Sequence, residues 1–426
     1  MAEPLTEETE PSPAATRALR RLAAAFTYRD FRVLWLGACT SSIGTWMQSL
    51  AENWLVLGLT GSAFYLGLDG FLQQLPVMLF TVIGGVFADR HDRRRTLLAS
   101  QYVQLTSAAL LAILVYTDVV QIWQVLLLSF MTGCAQAFGG PAYQSLVPSL
   151  VSKQDLPNAI ALNSIQFNLA RVIGPLLAGV TLTTFANLGF SERTAMASCF
   201  GINSLSFLIV ILALLSLHIK HVPSEQPRAI LTELREGLAY VRHQRGVLAL
   251  TLLAAATTFL GFPLMTLLPV FAQSVFHQGV GEYSRMMACS GAGAVVGALA
   301  VAWMGRYTHM GRTALIAQVA FGAIVVAFGL SRNLWLSYVL LFASGVMLIV
   351  VYSTVTSLVQ LVVSNQMRGR VMGIYMVAFR GGMPLGSLVS GYAASIVPAP
   401  AVLVVNGILL AVVAGFFLMK GSVREL

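Results

Sequence analysis

Long apolar stretches recur along this chain of 426 residues, and they restrict its fold more than any other feature. About 20 apolar residues make a helix long enough to cross the hydrocarbon core of a bilayer. The stretches cover residues 33–58, 64–88, 96–117, 122–144, 158–187, 193–217, 246–275, 283–304, 313–330, 334–356, 369–396 and 399–419. We therefore predict an all-α polytopic membrane protein with twelve transmembrane helices.

The scarcity of charge supports this prediction. Only 10% of the residues are charged and 57% are hydrophobic, whereas a soluble domain carries about 25% charged residues. Most of the surface must therefore face lipid. The four cysteines, Cys39, Cys134, Cys199 and Cys289, show neither metal nor disulfide spacing, and we interpret them as small apolar fillers.

The Lys and Arg residues lie mostly on one side of the predicted spans. Of the 26, the loops on the N-terminal side hold 21, and the opposite loops hold Arg193, Arg285 and Arg332. The remaining two, Arg171 and Arg380, fall inside spans. Because positively charged loops stay in the cytoplasm, we predict that both termini are cytoplasmic. This asymmetry explains the net charge of +9 without nucleic acid as a partner.

The longest segment between spans, residues 218–245, divides the chain into two halves. Its residues Ile230, Leu234, Leu238 and Val241 recur at helical spacing and predict an amphipathic helix on the cytoplasmic membrane surface. We thus predict a disordered cytoplasmic tail over residues 1–27, a six-helix half over 28–217, this linker, and a second six-helix half over 246–426. The acidic, proline-rich tail has no secretory signal.

The two halves carry related sequences. Residues 145–154 read SLVPSLVSKQ and residues 357–366 read SLVQLVVSNQ, with six of ten positions identical at an offset of 212. Gly174 and Gly179 recur at the same offset as Gly386 and Gly391. Pseudo-symmetric halves of six helices are typical of transporters built from repeats.

A glycine and charge motif lies between the second and third spans. Residues 84–95 read GGVFADRHDRRR, which resembles the G-x-x-x-D-R/K-x-G-R-R/K loop of the major facilitator superfamily. The matching residues are Gly85, Asp89, Arg90, Arg93 and Arg94, and Asp92 replaces the second glycine. The resemblance implies a cytoplasmic latch between the halves, for which Arg368 and Arg370 are candidate partners. Alternatively, the basic cluster only sets the topology.

Further segments resemble one bacterial branch of this superfamily, which includes siderophore exporters and macrolide-type efflux pumps. They are YRDFR at 28–32, WMQ at 46–48, LTGS at 59–62 and EGLAYVR at 236–242. The resemblance covers nearly the whole chain after residue 27. It implies an exporter in the bacterial cytoplasmic (inner) membrane, and it does not specify the substrate.

Two acidic residues fall inside spans, where an ionisable side chain is a functional candidate. Glu52 ends a polar stripe on the first span, formed with Ser41, Thr45 and Gln48 at helical spacing, and Asp69 lies in the second span. A carboxyl group in an apolar, intermittently hydrated site can bind and release a proton near neutral pH. Both are candidates for proton coupling. Alternatively, they are hydrated residues near the outer mouth.

The fifth span combines a buried cation with a kink. Gly174, Pro175 and Gly179 resemble the end of the superfamily's antiporter motif, with Ala178 in place of a glycine. Arg171 precedes the kink, and Arg380 lies beside Gly381 and Gly382 in the eleventh span. Each arginine either serves the cavity, through an ion-pair network or an anionic substrate, or is structural and bonds carbonyls at the kink.

Other polar residues are candidates for lining the cavity: Gln73, Gln136, Asn163, Gln166 and Tyr352. None of the three lysines follows a glycine, so the phosphate-binding loop of ATPases is excluded. No H-E-x-x-H motif occurs, and we expect no metal, no cofactor and no enzymatic activity.

Three functions remain open. The first is an exporter of a small amphiphilic molecule that is driven by proton antiport, and the second is an uncoupled facilitator or importer. The third is a non-transporting receptor or scaffold. Two buried arginines and few acids favour neutral or anionic substrates, whereas a cationic substrate requires Glu52 or Asp69 to line the site.

Overall fold

The computed structural model describes residues 24–217, 230–305, 308–421 and 423–424, without the side chains of residues 82, 86, 88–90 and 230–234. Thirteen long helices run through these residues. They are α1 (Arg29–Thr60), α2 (Ala63–Arg90), α3 (Arg93–Tyr116), α4 (Ile122–Leu146), α5 (Leu156–Asn187), α6 (Glu192–Leu215), α7 (Ile230–His243), α8 (Arg245–Gly261), α9 (Val280–Met304), α10 (Met310–Leu330), α11 (Leu334–Val362), α12 (Arg368–Ile396) and α13 (Ala399–Lys420).

Local signals set several helix ends. Helix α1 stops at Thr60 because Gly61 adopts a left-handed conformation with φ of 61°. Ser62 then caps α2 by accepting a hydrogen bond from the Phe64 N–H. Asp92 caps α3 by accepting from the N–H groups of Arg94 and Arg95. These caps keep the connections between successive helices short.

The structure refines three expectations from the sequence. Ala24–Thr27, inside the predicted tail, instead form a 3-10 turn with Ala25 buried, while residues 1–23 lie outside the described part of the chain. The amphipathic helix of the linker is α7, and residues 218–229 lie outside the description. The seventh apolar stretch is broken, since short helical turns continue α8 from Pro263 to Val275.

Nine helical segments in the described residues are long and apolar enough to cross a membrane. The remaining long helices in the predicted spans are α1, α2 and α12. These three contain Glu52, Asp69 and Arg380, together with several glutamines and glycines, which lower their hydropathy. These three helices carry three of the four charges identified inside the predicted spans, and the fourth, Arg171, lies on α5, which is one of the nine.

The helices other than α7 pack as two groups of six with equivalent neighbours. In the first group α2 packs on α4, α3 on α6 and α1 on α5. In the second group the equivalent pairs are α9 on α11, α10 on α13 and α8 on α12. The groups meet through α2 with α12 and through α5 with α9, which are exchanged by the same pseudo-symmetry.

The contacts between the groups lie toward one end of the bundle. Gly67 of α2 packs on the backbone of α12 at Ser387 and Gly391, and Gly179 of α5 packs on Ser284 of α9. Small residues let these backbones approach closely. Asn53 of α1 donates a hydrogen bond of 3.3 Å to the Tyr283 hydroxyl of α9. We call the end of the bundle that contains these contacts the closed end.

The other end, where α1 begins and most of the loop arginines lie, is called the basic end. At the basic end, the faces of α2 and α12 that touch at the closed end lie apart. Arg380 shares a face of α12 with Ser387 and Gly391, yet its side chain is exposed. A Cβ atom added at Gly85 or at Gly373 would meet no atom within 4 Å. The two groups are therefore closed at one end and open at the basic end.

Candidate functional site

The two acidic residues from the first and second spans meet deep inside the first group of helices. Glu52 and Asp69 are each only 4% exposed. The hydroxyl oxygen of Ser129, on α4, lies 2.6 Å from Glu52 Oε1 and 2.6 Å from Asp69 Oδ1. The three residues form one compact site, which we call the carboxyl pair, on α1, α2 and α4.

The geometry of the carboxyl pair favours a bound proton. Ser129 Oγ is also 3.0 Å from the Val125 carbonyl oxygen, so three acceptors surround one hydroxyl. A serine hydroxyl donates a single hydrogen and otherwise accepts. One hydrogen cannot satisfy three acceptors fully, so a proton on one of the carboxyl groups, donated to Ser129 Oγ, would complete this geometry.

A hydrogen-bonded chain extends from the carboxyl pair to α6. Gln48 Nε2 donates to Glu52 Oε2 over 3.2 Å, and Asn203 Nδ2 donates to Gln48 Oε1 over 2.7 Å. Ser206 completes the chain by donating to Asn203 Oδ1 over 3.0 Å. No described basic side chain forms an ion pair with either acid. Since burying an unpaired carboxylate is costly, the binding of a proton is the remaining way to neutralise these acids.

Arg171 lies in a different environment, between aromatic residues of both groups. Its guanidinium lies 5.8 Å from the centre of the Trp46 ring of α1, in a cation–π contact. Tyr352 of α11, on the other half, also lies near it. The side chain is half-buried, and none of the ion pairs between described residues includes it.

Arg380, on the equivalent helix α12 of the second half, is placed differently. Its side chain is exposed on the face of α12 that opens toward the basic end. The neighbouring Gly381 faces Met78 of α2, and Gly382 packs on Thr258 and Ala255 of α8. The two arginines are therefore not equivalent in this conformation, because Arg171 is half-buried against Trp46 whereas Arg380 is exposed.

The kink motif of α5 forms contacts both within and between the groups. Gly174 packs on the α1 backbone, where an added Cβ would lie 2.5 Å from the Trp46 Cβ. The Ser284 hydroxyl of α9 donates to the Pro175 carbonyl over 2.6 Å, beside the Gly179 contact. The motif thus joins α5 to α1 and to the other half, close to Arg171.

The charged loop motif makes contacts within its own group. Arg93 donates to the Ser145 carbonyl over 3.1 Å, and Arg94 donates to the carbonyls of Leu214 and Leu215 over 2.6 and 2.7 Å. The side chains of Asp89 and Arg90 lie outside the described part of the structure.

Of the candidate partners on α12, Arg368 contacts its own half and Arg370 contacts the linker helix α7. Arg368 donates to the Gln360 carbonyl over 3.0 Å, and Arg370 pairs with Glu236 of α7. These bonds belong to the conformation that is open at the basic end, so the latch stays a prediction for the opposite conformation.

The remaining cavity candidates are spread along the bundle. Thr45 and Gln136 are exposed, Gln73 is half-buried and Ser41 is buried. The Gln166 side chain donates to the Ser42 hydroxyl over 2.8 Å, and Asn163 accepts from the Tyr143 hydroxyl over 3.2 Å. The last two are thus held in contacts between helices within the first half.

Several residues of the site were not identified from the sequence. Ser129 joins the two acids, Trp46 covers Arg171, and the Asn53–Tyr283 hydrogen bond closes one end. Trp54 also stacks on Tyr283, with ring centres 6.1 Å apart. Serines and aromatic residues are common in membrane helices, so only the packing of distant helices distinguishes these residues.

Comparison with known proteins defines the class. The fold matches a crystal structure of a bacterial homolog to the human lysosomal transporter Spinster, in an inward-facing and unoccupied conformation. The TM-score is 0.72 at 15% identity, covering 92% of this chain and 97% of that one. The sequence is 26% identical to the staphyloferrin A transporter of Staphylococcus aureus (strain NCTC 8325 / PS 47), over 83% of this chain and 87% of that protein.

The sequence is also 23% identical to macrolide efflux protein A of Streptococcus pyogenes, over 93% of this chain and 97% of that protein. This chain is a multi-pass membrane transporter and not an enzyme. It belongs to the transmembrane secretion effector family, which it matches over residues 22–425. The resemblance to the major facilitator branch of siderophore exporters and macrolide efflux pumps is confirmed.

Proposed function

We propose that this protein exports a small amphiphilic molecule across the bacterial cytoplasmic membrane in exchange for protons. Twelve spans in two six-helix halves, with both termini in the cytoplasm, are supported by the 21 to 3 distribution of loop Lys and Arg. The efflux roles named for its relatives support export as the direction. The driving force is the proton gradient, without ATP or a bound cofactor.

The carboxyl pair is the observation that carries the coupling. In proton antiport, the proton-binding residue is still protonated when the protein first opens to the cytoplasm. Substrate binding in that conformation then releases the proton into the cytoplasm. With the basic end assigned to the cytoplasm, the structure corresponds to this conformation, and a proton on Glu52 or Asp69 fits the three acceptors around the Ser129 hydroxyl. A protonated carboxyl pair in this conformation would fit the stage of the antiport cycle just before substrate binding.

Alternating access follows from the two groups of helices. The groups rock about the central region near Arg171, which opens one end as the other closes. The contacts of Gly67 and Gly179 hold the closed end together in the present conformation. In the opposite conformation these contacts separate, and the loop motif at the basic end forms the predicted latch.

An uncoupled facilitator or importer is the alternative function. It shares the fold and differs only in its response to the proton gradient. Proton release on adding staphyloferrin A or a macrolide to the purified protein separates the two. Release by the wild type that is lost in Glu52→Gln or Asp69→Asn supports antiport. Confirmed substrate binding without proton release contradicts it.

The latch supplies a separate prediction. We expect Asp89→Asn to abolish transport while membrane insertion stays normal, because the predicted closure at the basic end loses its carboxylate. Substrate efflux from cells, together with the amount of protein in the membrane, measures both effects. Asp30→Asn is the control, since Asp30 also lies at the basic end but outside the motif. Normal efflux by Asp89→Asn contradicts the latch.

A further inference from the structure

We propose that Arg171, with Trp46 and Tyr352, forms a binding site for an organic anion: an aromatic or amphiphilic molecule that carries a carboxylate, sulfonate or phosphate group. The proposal rests on the exporter function and specifies its substrate class. It concerns α1, α5 and α11, and not the carboxyl pair of α1, α2 and α4.

The charge of Arg171 has no acidic partner among the described residues. The described ion pairs involve other residues, and no hydrogen bond from the guanidinium to a described residue was found. A guanidinium inside a membrane protein is costly unless a partner or water compensates it. It carries five N–H donors in a planar fork that fits carboxylate, sulfonate and phosphate groups. An anionic ligand would therefore provide the negatively charged partner for Arg171 that no described residue provides.

A second polar group points to the same ligand. The Tyr352 hydroxyl oxygen is buried and has no hydrogen-bond partner in the described structure. It lies near Arg171, on the facing half. A buried hydroxyl without a partner is unfavourable, and an anion bound to Arg171 can accept its hydrogen bond.

The surrounding side chains favour an aromatic or apolar body on that anion. Trp46 contacts Phe167 of α5 edge-on, with ring centres 6.1 Å apart. On the other half, Tyr352 contacts Phe379 of α12 edge-on, with ring centres 4.7 Å apart. Arg171 thus lies between aromatic pairs from both halves. A ligand held here contacts both halves, as alternating access requires of a transported substrate.

A matched pair of dyes tests the proposal. The anionic dye is 8-anilino-1-naphthalenesulfonate, and N-phenyl-1-naphthylamine has the same aromatic scaffold without the sulfonate. Binding is measured by fluorescence polarisation to full-length protein in phosphatidylcholine nanodiscs, with empty discs subtracted. We expect Arg171→Gln to weaken binding of the anionic dye by roughly ten- to a hundredfold, as for the loss of a charged hydrogen bond. Binding of the neutral dye should stay unchanged.

Further variants keep the test decisive. Arg171→Lys retains the charge and should retain most of the affinity for the anionic dye, whereas Tyr352→Phe should weaken it a few-fold. Arg245→Gln removes an exposed arginine at the start of α8 and should change neither dye. If Arg171→Gln binds the anionic dye as the wild type does, or loses both dyes equally, the anion site is wrong.

Two further comparisons identify the source of the anion and separate this proposal from the exporter function. Displacement of the anionic dye by added phosphatidylglycerol assigns the anion to a lipid headgroup, and retention assigns it to a solute; either result supports an anion at Arg171. The dye assay contains no proton gradient. Its failure therefore overturns only the anion site, while proton release lost in Asp69→Asn tests the coupling separately.

Discussion

Replacing Asp69 by Asn should abolish proton-coupled efflux while leaving the fold and substrate binding intact. Asparagine has a similar shape and keeps an acceptor for the Ser129 hydroxyl, but it cannot bind and release a proton in the range of physiological pH. Glu52→Gln should have the same effect, because both carboxyl groups lie 2.6 Å from one hydroxyl. Substrate-driven proton movement across proteoliposomes measures the loss.

A third variant distinguishes shared proton binding from two independent acids. Ser129→Ala removes the hydroxyl that joins the acids and keeps both titratable groups. Because the acids act as one site in the structure, we expect a shift in the pH at which transport is half-maximal, without complete loss. Ser198→Ala is the control, since its hydroxyl bonds only the Thr194 carbonyl within α6. An unchanged pH profile in Ser129→Ala would contradict the shared site.

Replacing Gly67 by Ala should shift the protein away from the conformation described here. The added Cβ would overlap the Ser387 backbone oxygen, and the Gly391 Cα would lie 3.1 Å from it. Overpacking of this kind costs about 1–3 kcal/mol, and such a difference changes a two-state ratio roughly 5- to 150-fold. The strain is relieved when α2 and α12 separate at the closed end, so the opposite conformation should gain population.

Distances between spin labels measure that shift in a background without native cysteines. Labels at Arg95→Cys and Arg312→Cys report on the basic end, and labels at Tyr116→Cys and Trp335→Cys report on the closed end. All four positions are exposed, and each pair joins the two groups of helices. In Gly67→Ala the first distance should shorten and the second should lengthen.

Two other glycines serve as controls for this experiment. Gly201→Ala places a methyl group where no atom lies within 4 Å, so it gains only the helix propensity of alanine. Its label distances should match those of the wild type. Gly85→Leu also meets open space here, but it should obstruct closure at the basic end and favour the present conformation. Identical distances in all three variants would show that these contacts do not control the equilibrium.

Much of the architecture could be predicted from the sequence because a membrane imposes local rules. Backbone groups in lipid must be satisfied within a helix, so each apolar stretch predicts a helix by itself. The repeat at an offset of 212 indicated two related halves, and the packing of α2 on α4 and of α9 on α11 shows equivalent neighbours. The break after Gly261 was not placed from the sequence, because the stretch is apolar throughout and membrane helices often tolerate prolines such as Pro263 and Pro269 without ending.

The chemistry of the site depended on which helix faces meet. Glu52 and Asp69 were identified by their own polarity, but Ser129 lies 60 residues beyond Asp69 and has no local signal. Arg171 and Tyr352 likewise come from different halves. The sequence alone thus determined the apolar helices, their repeat and the two buried acids, because each depends on a short segment or on a match between two segments, whereas the burial predicted for Arg380 was wrong. The tertiary structure decided that the two acids meet at Ser129 and that no described acidic residue pairs with Arg171, because both depend on how distant helices pack.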